Sequence, residues 1–297
     1  MSNLHVFAGH DAYQAAPVIR RIGPQQIWRA LAQGADDFRA MPSHIAFLCL
    51  IYPLCGLVLS YLTSQQNALQ LAFPLASGFA LIGPFAAIGL YEMSRRRELG
   101  LDGSWKYAFN VLRSPSIPAI GALGLLLVAL FVAWLASAQA LYAWLFGAAP
   151  PASALDFVRE VVSTSRGWAL IGLGGFVGFC FAVVSFSLSV VSFPLLLERD
   201  VGAVAAVAAS VEAVRENPAA MALWGVIVAG SLILGAVPLF VGLAVVMPIL
   251  GHATWHLYRA VVVRDPKQEH EVELPPEGLG KPAGERVRPH SFLFPWR

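Results

Sequence analysis

The sequence predicts an all-α, polytopic membrane helix bundle with six transmembrane helices, arranged as three tandem units of interfacial helix plus helical hairpin. Three observations predict it. Hydrophobic residues make up 57% of the 297 and charged residues only 13%, about half the charged share of a soluble domain. The charges crowd into a few short segments separated by long runs that carry none. Three times, an arginine closely followed by proline stands ahead of a pair of apolar runs: Arg39-Ala-Met-Pro42, Arg113-Ser-Pro115 and Arg215-Glu-Asn-Pro218.

Residues 1–24 read as an N-terminal cytoplasmic segment. They lack the continuous apolar core and cleavage site of a signal peptide, so the first apolar run is expected to stay as an anchor. The six-span membrane domain covers 25–262. A bilayer core about 30 Å thick takes roughly 20 apolar helical residues, and candidates fall at 43–63, 69–93, 117–146, 168–197, 220–236 and 238–258. From Met221 to Tyr258 there is no Asp, Glu, Lys or Arg, a run too long for one crossing. Gly235-Ala-Val-Pro238 supplies the turn of a tight hairpin, because Pro238 suits a first helical turn. Residues 263–297 turn polar and proline-rich and are expected to be a disordered cytoplasmic tail.

Charge fixes the orientation. With six spans, 18 of the 20 basic residues fall on one side and only Arg159 and Arg166 on the other. Positive charge stays cytoplasmic, so both termini are expected in the cytoplasm of a bacterium, with the chain in its inner membrane. On the outer side only 147–167 has substance. There Ser153 reads as a helix cap, Leu155, Val158 and Val162 are spaced to face the membrane, and Tyr142, Trp144 and Trp168 flank them as an aromatic belt.

A lead-in helix precedes each hairpin. Over 25–39, Trp28, Leu31, Ala35 and Phe38 share one face, with Arg29, Gln33 and Asp36 opposite. After Ser104 as cap, Trp105, Ala108, Phe109 and Leu112 fall together; over 203–215, Val204, Val207, Ala208, Val211 and Val214 do. The second span of each unit carries a proline: Pro84, Pro194 and Pro248. Pro84 stands as far before Arg95 as Pro248 does before Arg259. Every unit starts and ends on the cytoplasmic side, so the repeats are parallel about an axis along the membrane normal.

Chemistry-bearing residues are sparse. Charged groups inside membranes are the first functional candidates, and Glu92 is the one carboxylate inside an expected span. His252 and His256, at i and i+4, share a helical face and suit a shared proton or metal. His44 lies at the same depth, so His44, Glu92, His252 and His256 form a candidate polar cluster. Ser185, Ser189 and Ser192 form a stripe on the fourth span and, with Gln139, are candidate pathway lining. The bland reading of such serines is helix glue, bonding a carbonyl a turn back or across a contact. Cys49, Cys55 and Cys180 sit in apolar runs without a CxxC pair and read as small buried apolar residues. No complete metal-ligand set, dinucleotide fingerprint or phosphate loop is present, so no cofactor is expected. Basic residues hug the spans, which leaves nucleic acid without support as a partner. The expected partner is the lipid bilayer, with a membrane protein partner or a second copy of the chain left open.

Four motifs carry a family resemblance: Asp36-Asp-Phe-Arg-Ala-Met-Pro42, Phe79-Ala-Leu-Ile-Gly-Pro-Phe85 with Gly89-Leu-Tyr-Glu92-Met-Ser-Arg-Arg-Arg97, Ser192-Phe-Pro-Leu-Leu-Leu-Glu-Arg-Asp200, and Gly251-His-Ala-Thr-Trp-His-Leu-Tyr-Arg259. Together, over about residues 20–262, they resemble the bacterial predicted integral membrane proteins of the domain of unknown function 2189 family. The resemblance implies a six-span protein of the cytoplasmic membrane and no particular activity. Two function classes follow from the residues. One is a non-enzymatic small-solute pathway or accessory partner of a membrane complex. The alternative is an interfacial metal- or haem-binding protein, or a membrane enzyme, using the His/Glu cluster.

Overall fold

The computed structural model describes residues 17–41, 56, 69–81, 83–147, 151, 153–238 and 241–265. Among these the regular elements are helices. The expected first span, 43–63, lies outside the described residues apart from Gly56, as do the tail from 266 onward and His44.

Helix α1 (Pro24–Ala40) opens with proline at its first position, where no amide partner is needed, and the Gln26 side chain accepts a hydrogen bond from Gly23 N at 3.0 Å. Its buried face is Ile27, Ala30, Gly34 and Asp37. The expected apolar face is turned away from this contact: Trp28 is 55% exposed, and Leu31, Ala35 and Phe38 are only half-buried. The small residues decide the packing. A Cβ on Gly34 would lie 2.5 Å from Ala253 N, so the backbones of α1 and α11 (Leu243–Val261) touch at that point.

The run expected as one helix over 69–93 is instead a chain of short pieces. A 3₁₀ turn at Leu69–Leu71 leads into α2 (Ala72–Gly78), a second 3₁₀ turn at Phe79–Leu81, α3 (Gly83–Ala86) and α4 (Ile88–Glu98). Pro74 and Pro84 lack amide donors and interrupt the ladder. Neighbours satisfy carbonyls along this broken path: Trp134 Nε1 donates to Pro74 O at 3.0 Å, and Ser185 Oγ donates to Leu81 O at 3.0 Å. Gly100, at φ +73°, turns the chain out of α4. The second lead-in helix is a 3₁₀ helix, Trp105–Arg113, rather than an α-helix. Ser104 does not cap it through its side chain; the Ser104 N–H is instead held by Asp102 Oδ1 at 2.9 Å.

Among the described residues three helices are long and apolar enough to cross a membrane: α5 (Ile117–Phe146), the continuous run Ser165–Glu198, and α10 (Pro218–Ala236). Their exposed side chains, among them Leu125, Val132, Phe176, Phe179, Val226 and Leu234, are those lipid would cover. Between the first two lies α6 (Ala154–Ser163). Ser153 Oγ accepts from Asp156 N at 3.1 Å, as a cap should, and Leu155, Val158 and Val162 are all exposed on it. The second run divides at Val190–Val191 into α7 (Ser165–Ser189) and α8 (Ser192–Glu198). Gly202, at φ +78°, then leads into α9 (Ala203–Glu216). Here too the buried face differs from expectation. It is Ala203, Ala206, Ala209, Ser210 and Ala213, while Val204 is 61% exposed. Helices α10 and α11 form the expected tight hairpin, with a Cβ on Gly242 falling 2.8 Å from Gly235 O.

Helix α1 packs on α11, the 3₁₀ helix on α4, and α9 on α7 and α8. Helix α4 in turn meets both α8 and α11. The two described chain ends also meet. Arg20 N donates to Val261 O at 2.7 Å and Val263 N to Val18 O at 3.0 Å, around an antiparallel bridge between Ile19 and Val262. Asn217 joins the same corner, accepting from Ile22 N at 2.7 Å and donating to Arg20 O at 3.0 Å. Charged and polar side chains gather at this end of the molecule.

Candidate functional site

Two linked polar networks occupy the charged end. The first centres on Asp37, near the C-terminus of α1 and 4% exposed. Its Oδ2 accepts from Ser94 Oγ at 2.6 Å and faces His256 Nε2 at 2.8 Å, while Arg97 Nη1 binds Oδ1. Ser94 Oγ also meets His252 Nδ1 at 2.7 Å. A hydroxyl has one proton, and Ser94 gives it to Asp37. His252 therefore carries its hydrogen on Nδ1 in this arrangement, and His256 presents Nε2–H to the carboxylate. Burial alone would raise the Asp37 pKa. The hydrogen bonds from His256 and Ser94, together with the charges of both histidines, outweigh it and hold the carboxyl below its ordinary value.

The expected cluster is thus partly assembled with a different acid. His252 and His256 do come together, on the inner face of α11. The carboxylate they meet is Asp37, whereas Glu92 takes Arg95 as partner at 3.4 Å, both buried. Asp37 was hidden in sequence because it sits 219 residues from His256. A usable signal did exist: it continues the small-residue face of Ile27, Ala30 and Gly34 at helical spacing.

The second network clamps Arg259, whose Nε and Nη2 reach Glu98 Oε1 at 3.0 and 2.7 Å, while Nη1 reaches Glu198 Oε1 at 2.6 Å. Trp255 Nε1 donates to Glu98 Oε2 at 3.0 Å, and the Tyr258 hydroxyl donates to Glu198 Oε2. Arg199 lies beside Glu198, donates through Nη2 to Val263 O at 2.6 Å, and accepts at its own carbonyl from Ser116 Oγ at 3.4 Å. The C-terminal ends of α4, α8 and α11 are thereby tied together. Asp37, Glu92 and Glu198 are all buried. They lie at helix ends, beyond the apolar runs that hydropathy marks.

Three of the four candidate lining residues behave as helix glue. Ser192 Oγ donates a turn back to Leu188 O at 2.5 Å, Ser185 bonds across to Leu81 O, and Gln139 Oε1 accepts from Gln70 Nε2 at 3.3 Å. Ser189 Oγ is buried without a hydrogen-bond partner among the described residues. A cavity of about 240 Å³ lies elsewhere, against Phe73, Gly78, Trp134, Gly178 and Phe179, and is mainly apolar. Among the described residues no group of three or more His, Cys, Asp or Glu side chains is placed to hold a metal ion.

Apolar helices of this length with a charged cap are the features of an integral membrane protein. Residues 72–198 match the family model described as predicted integral membrane protein, DUF2189. No curated protein and no solved structure matches the chain. The DUF2189 match runs from α2 to α8, so it includes Ser94, Glu98 and Glu198. Helices α1 and α11, which supply Asp37, the two histidines and Arg259, lie outside it. Of the four motifs quoted above, the DUF2189 segment holds the stretch 79–97 and most of 192–200.

Proposed function

We propose that the chain is a six-span, non-enzymatic protein of the bacterial inner membrane that forms a small-solute pathway, with the Arg259 clamp closing its cytoplasmic end. Connectivity supports the six spans. Chain ends that meet call for an even number of crossings, and three long apolar helices make an odd one. Helix α11 returns from the tip of α10 to Val262 beside Ile19. The pieces from 69 to 98 run from the level of Gln139, through Gln70, to the level of Arg259, through Glu98. Met41 at the charged end beside Gly103, with Leu69 at the other, supports a further crossing over the expected run 43–63. The charge bias of 18 basic residues against two supports a cytoplasmic charged end.

Cyclic packing supports three parallel units. Taken as repeats, each lead-in helix rests on the second span of the unit before it, and α1 closes the ring on the last unit. The second spans are then central, and their ends are the three that Glu98, Glu198 and Arg259 join. This junction is the observation that carries the pathway reading: one arginine bridges two carboxylates where three proline-bearing spans converge. The metal, haem or enzyme alternative has less support, since His252 Nδ1 and His256 Nε2 are already engaged with Ser94 and Asp37.

The test is release of small polar solutes from vesicles reconstituted with full-length protein. Wild type should stay tight and Arg259→Ala should leak, as should Glu98→Gln combined with Glu198→Gln. Folded Arg259→Ala in vesicles that remain tight would refute the pathway and leave the clamp a structural tie, as an accessory protein would use it.

A further inference from the structure

We propose that His256, Asp37 and Ser94 form a proton path from water at the charged face to the buried ring of His252. The four side chains are in unbroken hydrogen-bonding contact: His256 Nε2 to Asp37 Oδ2 at 2.8 Å, Oδ2 to Ser94 Oγ at 2.6 Å, and Oγ to His252 Nδ1 at 2.7 Å. Each linking atom can both give and take a proton. Exposure falls along the series. The His256 side chain keeps 14% of its surface, that of Asp37 5%, Ser94 none, and His252 1%. His252 is also one turn farther from the helix end than His256, about 6 Å along the axis of α11. The path is wet at one end and reaches, at the other, an imidazole buried from water.

The transfer balances. A proton from water adds to His256 Nδ1, and the Nε2–H bond breaks as the Asp37 Oδ2–H bond forms. Oδ2 passes that hydrogen to Ser94 Oγ, whose own hydrogen moves to His252 Nδ1 when that nitrogen is bare. One N–H bond is gained on His252, one proton is taken from water, and no electrons change hands. Rotation of the Ser94 hydroxyl sets the direction, since in the structure it donates to Asp37. Once Oδ2 has passed its hydrogen on, Asp37 is anionic again, and Arg97 on Oδ1 stabilises that form. The other charges nearby are committed elsewhere: Glu92 to Arg95, Glu98 to Arg259, Asp36 to Arg39, and Glu216 to Arg21. Helix α10, which also touches α1, carries no charged residue.

The inference rests on this face being wet and not on the solute pathway. Ring-proton exchange is read independently of vesicle leakage, so either reading can fail alone. The experiment uses full-length protein in lipid vesicles, labelled with ¹⁵N-histidine, with the His252 resonance assigned by its loss in His252→Asn. Exchange of the His252 ring proton with water should slow about a hundredfold in Ser94→Ala, the low end of what a positioned proton-transfer group contributes. Ser94→Thr should restore it. Unchanged exchange in Ser94→Ala overturns the path and leaves the serine as packing. Should that variant not accumulate folded, wild type decides: a His252 ring proton exchanging no faster than the backbone amides of α11 overturns the path as well.

Discussion

Asp37 shows how one side chain can hold two distant parts of the chain. It ends the buried face of α1, and its oxygens receive Ser94 and Arg97 from α4 and His256 from α11. Removing it strands several buried donors at once. Asp37→Ala should therefore cost about 2 kcal/mol, the range for leaving buried hydrogen-bonding groups unsatisfied, measured as a lowered unfolding midpoint in detergent. Asp37→Asn probes the charge separately. Because the folded carboxyl lies below its ordinary value, its stabilisation is fully present above the unfolded aspartate pKa, about 4. It is lost as pH falls through the folded value. The stability gap between wild type and Asp37→Asn should therefore be flat above about pH 5 and close below about pH 4. A gap unchanged down to pH 3 would show that the carboxylate's charge contributes nothing. Half of this site was legible in the sequence. The i, i+4 spacing of His252 and His256 marks a shared face, but a partner 219 residues away leaves no local trace.

Helix positions were largely legible, helix orientations less so. Hydropathy and length located α5, α7, α10 and the turn before α11, and Ser153 announced α6. Yet on both α1 and α9 the buried face is the small one rather than the face richest in large apolar residues. In water the largest side chains seek the core. In lipid they gain nothing by leaving the bilayer, so close backbone approach at Gly and Ala decides the contact. The broken run from 69 to 98 escaped for a related reason: Pro74 and Pro84 only interrupt a helix when neighbours satisfy the freed carbonyls, and Trp134 and Ser185 do so from other helices. The α1–α11 crossing tests the argument directly. A Cβ on Gly34 would meet Ala253 N, Cβ and Cα at 2.5 to 2.7 Å, so Gly34→Ala must push two backbones apart. Its cost should be about 2 kcal/mol, typical of overpacking. Adding Ala253→Gly should recover part of it, because one of the three clashing atoms is removed. Additive losses in the double variant would mean the helices do not meet there.

At the scale of the whole molecule, topology depends on which elements cross the membrane and in which sense. Among the described residues length and composition mark three helices, whereas the proposed order has six crossings with both ends inside. The difference lies in the expected run 43–63, outside the described residues, and in α11 and the 69–98 run. Helix α11 carries His252, His256 and Arg259, and the 69–98 run is interrupted by prolines, so neither reads as a simple apolar rod. Enzymatic reporters active only outside the cytoplasm separate the two counts. Fusions after Gln66 and Ala149 should be active, because both points precede a descending run under the six-span reading. Fusions after Glu98, Gly202 and Arg264 should be silent, because each follows a return to the charged end. The fusions at Gln66 and Arg264 separate the counts, since three crossings leave Gln66 on the side of Glu98 and put Arg264 opposite it; orientation is read at Gly202. It follows Glu198 and Arg199, whose contacts with Arg259 and Val263 tie that point to the face where the chain ends meet. If the Gly202 fusion were active, the clamp and the corner of Ile19 and Val262 would lie outside. The charge bias, the closed pathway end and the six-span order would then fall together.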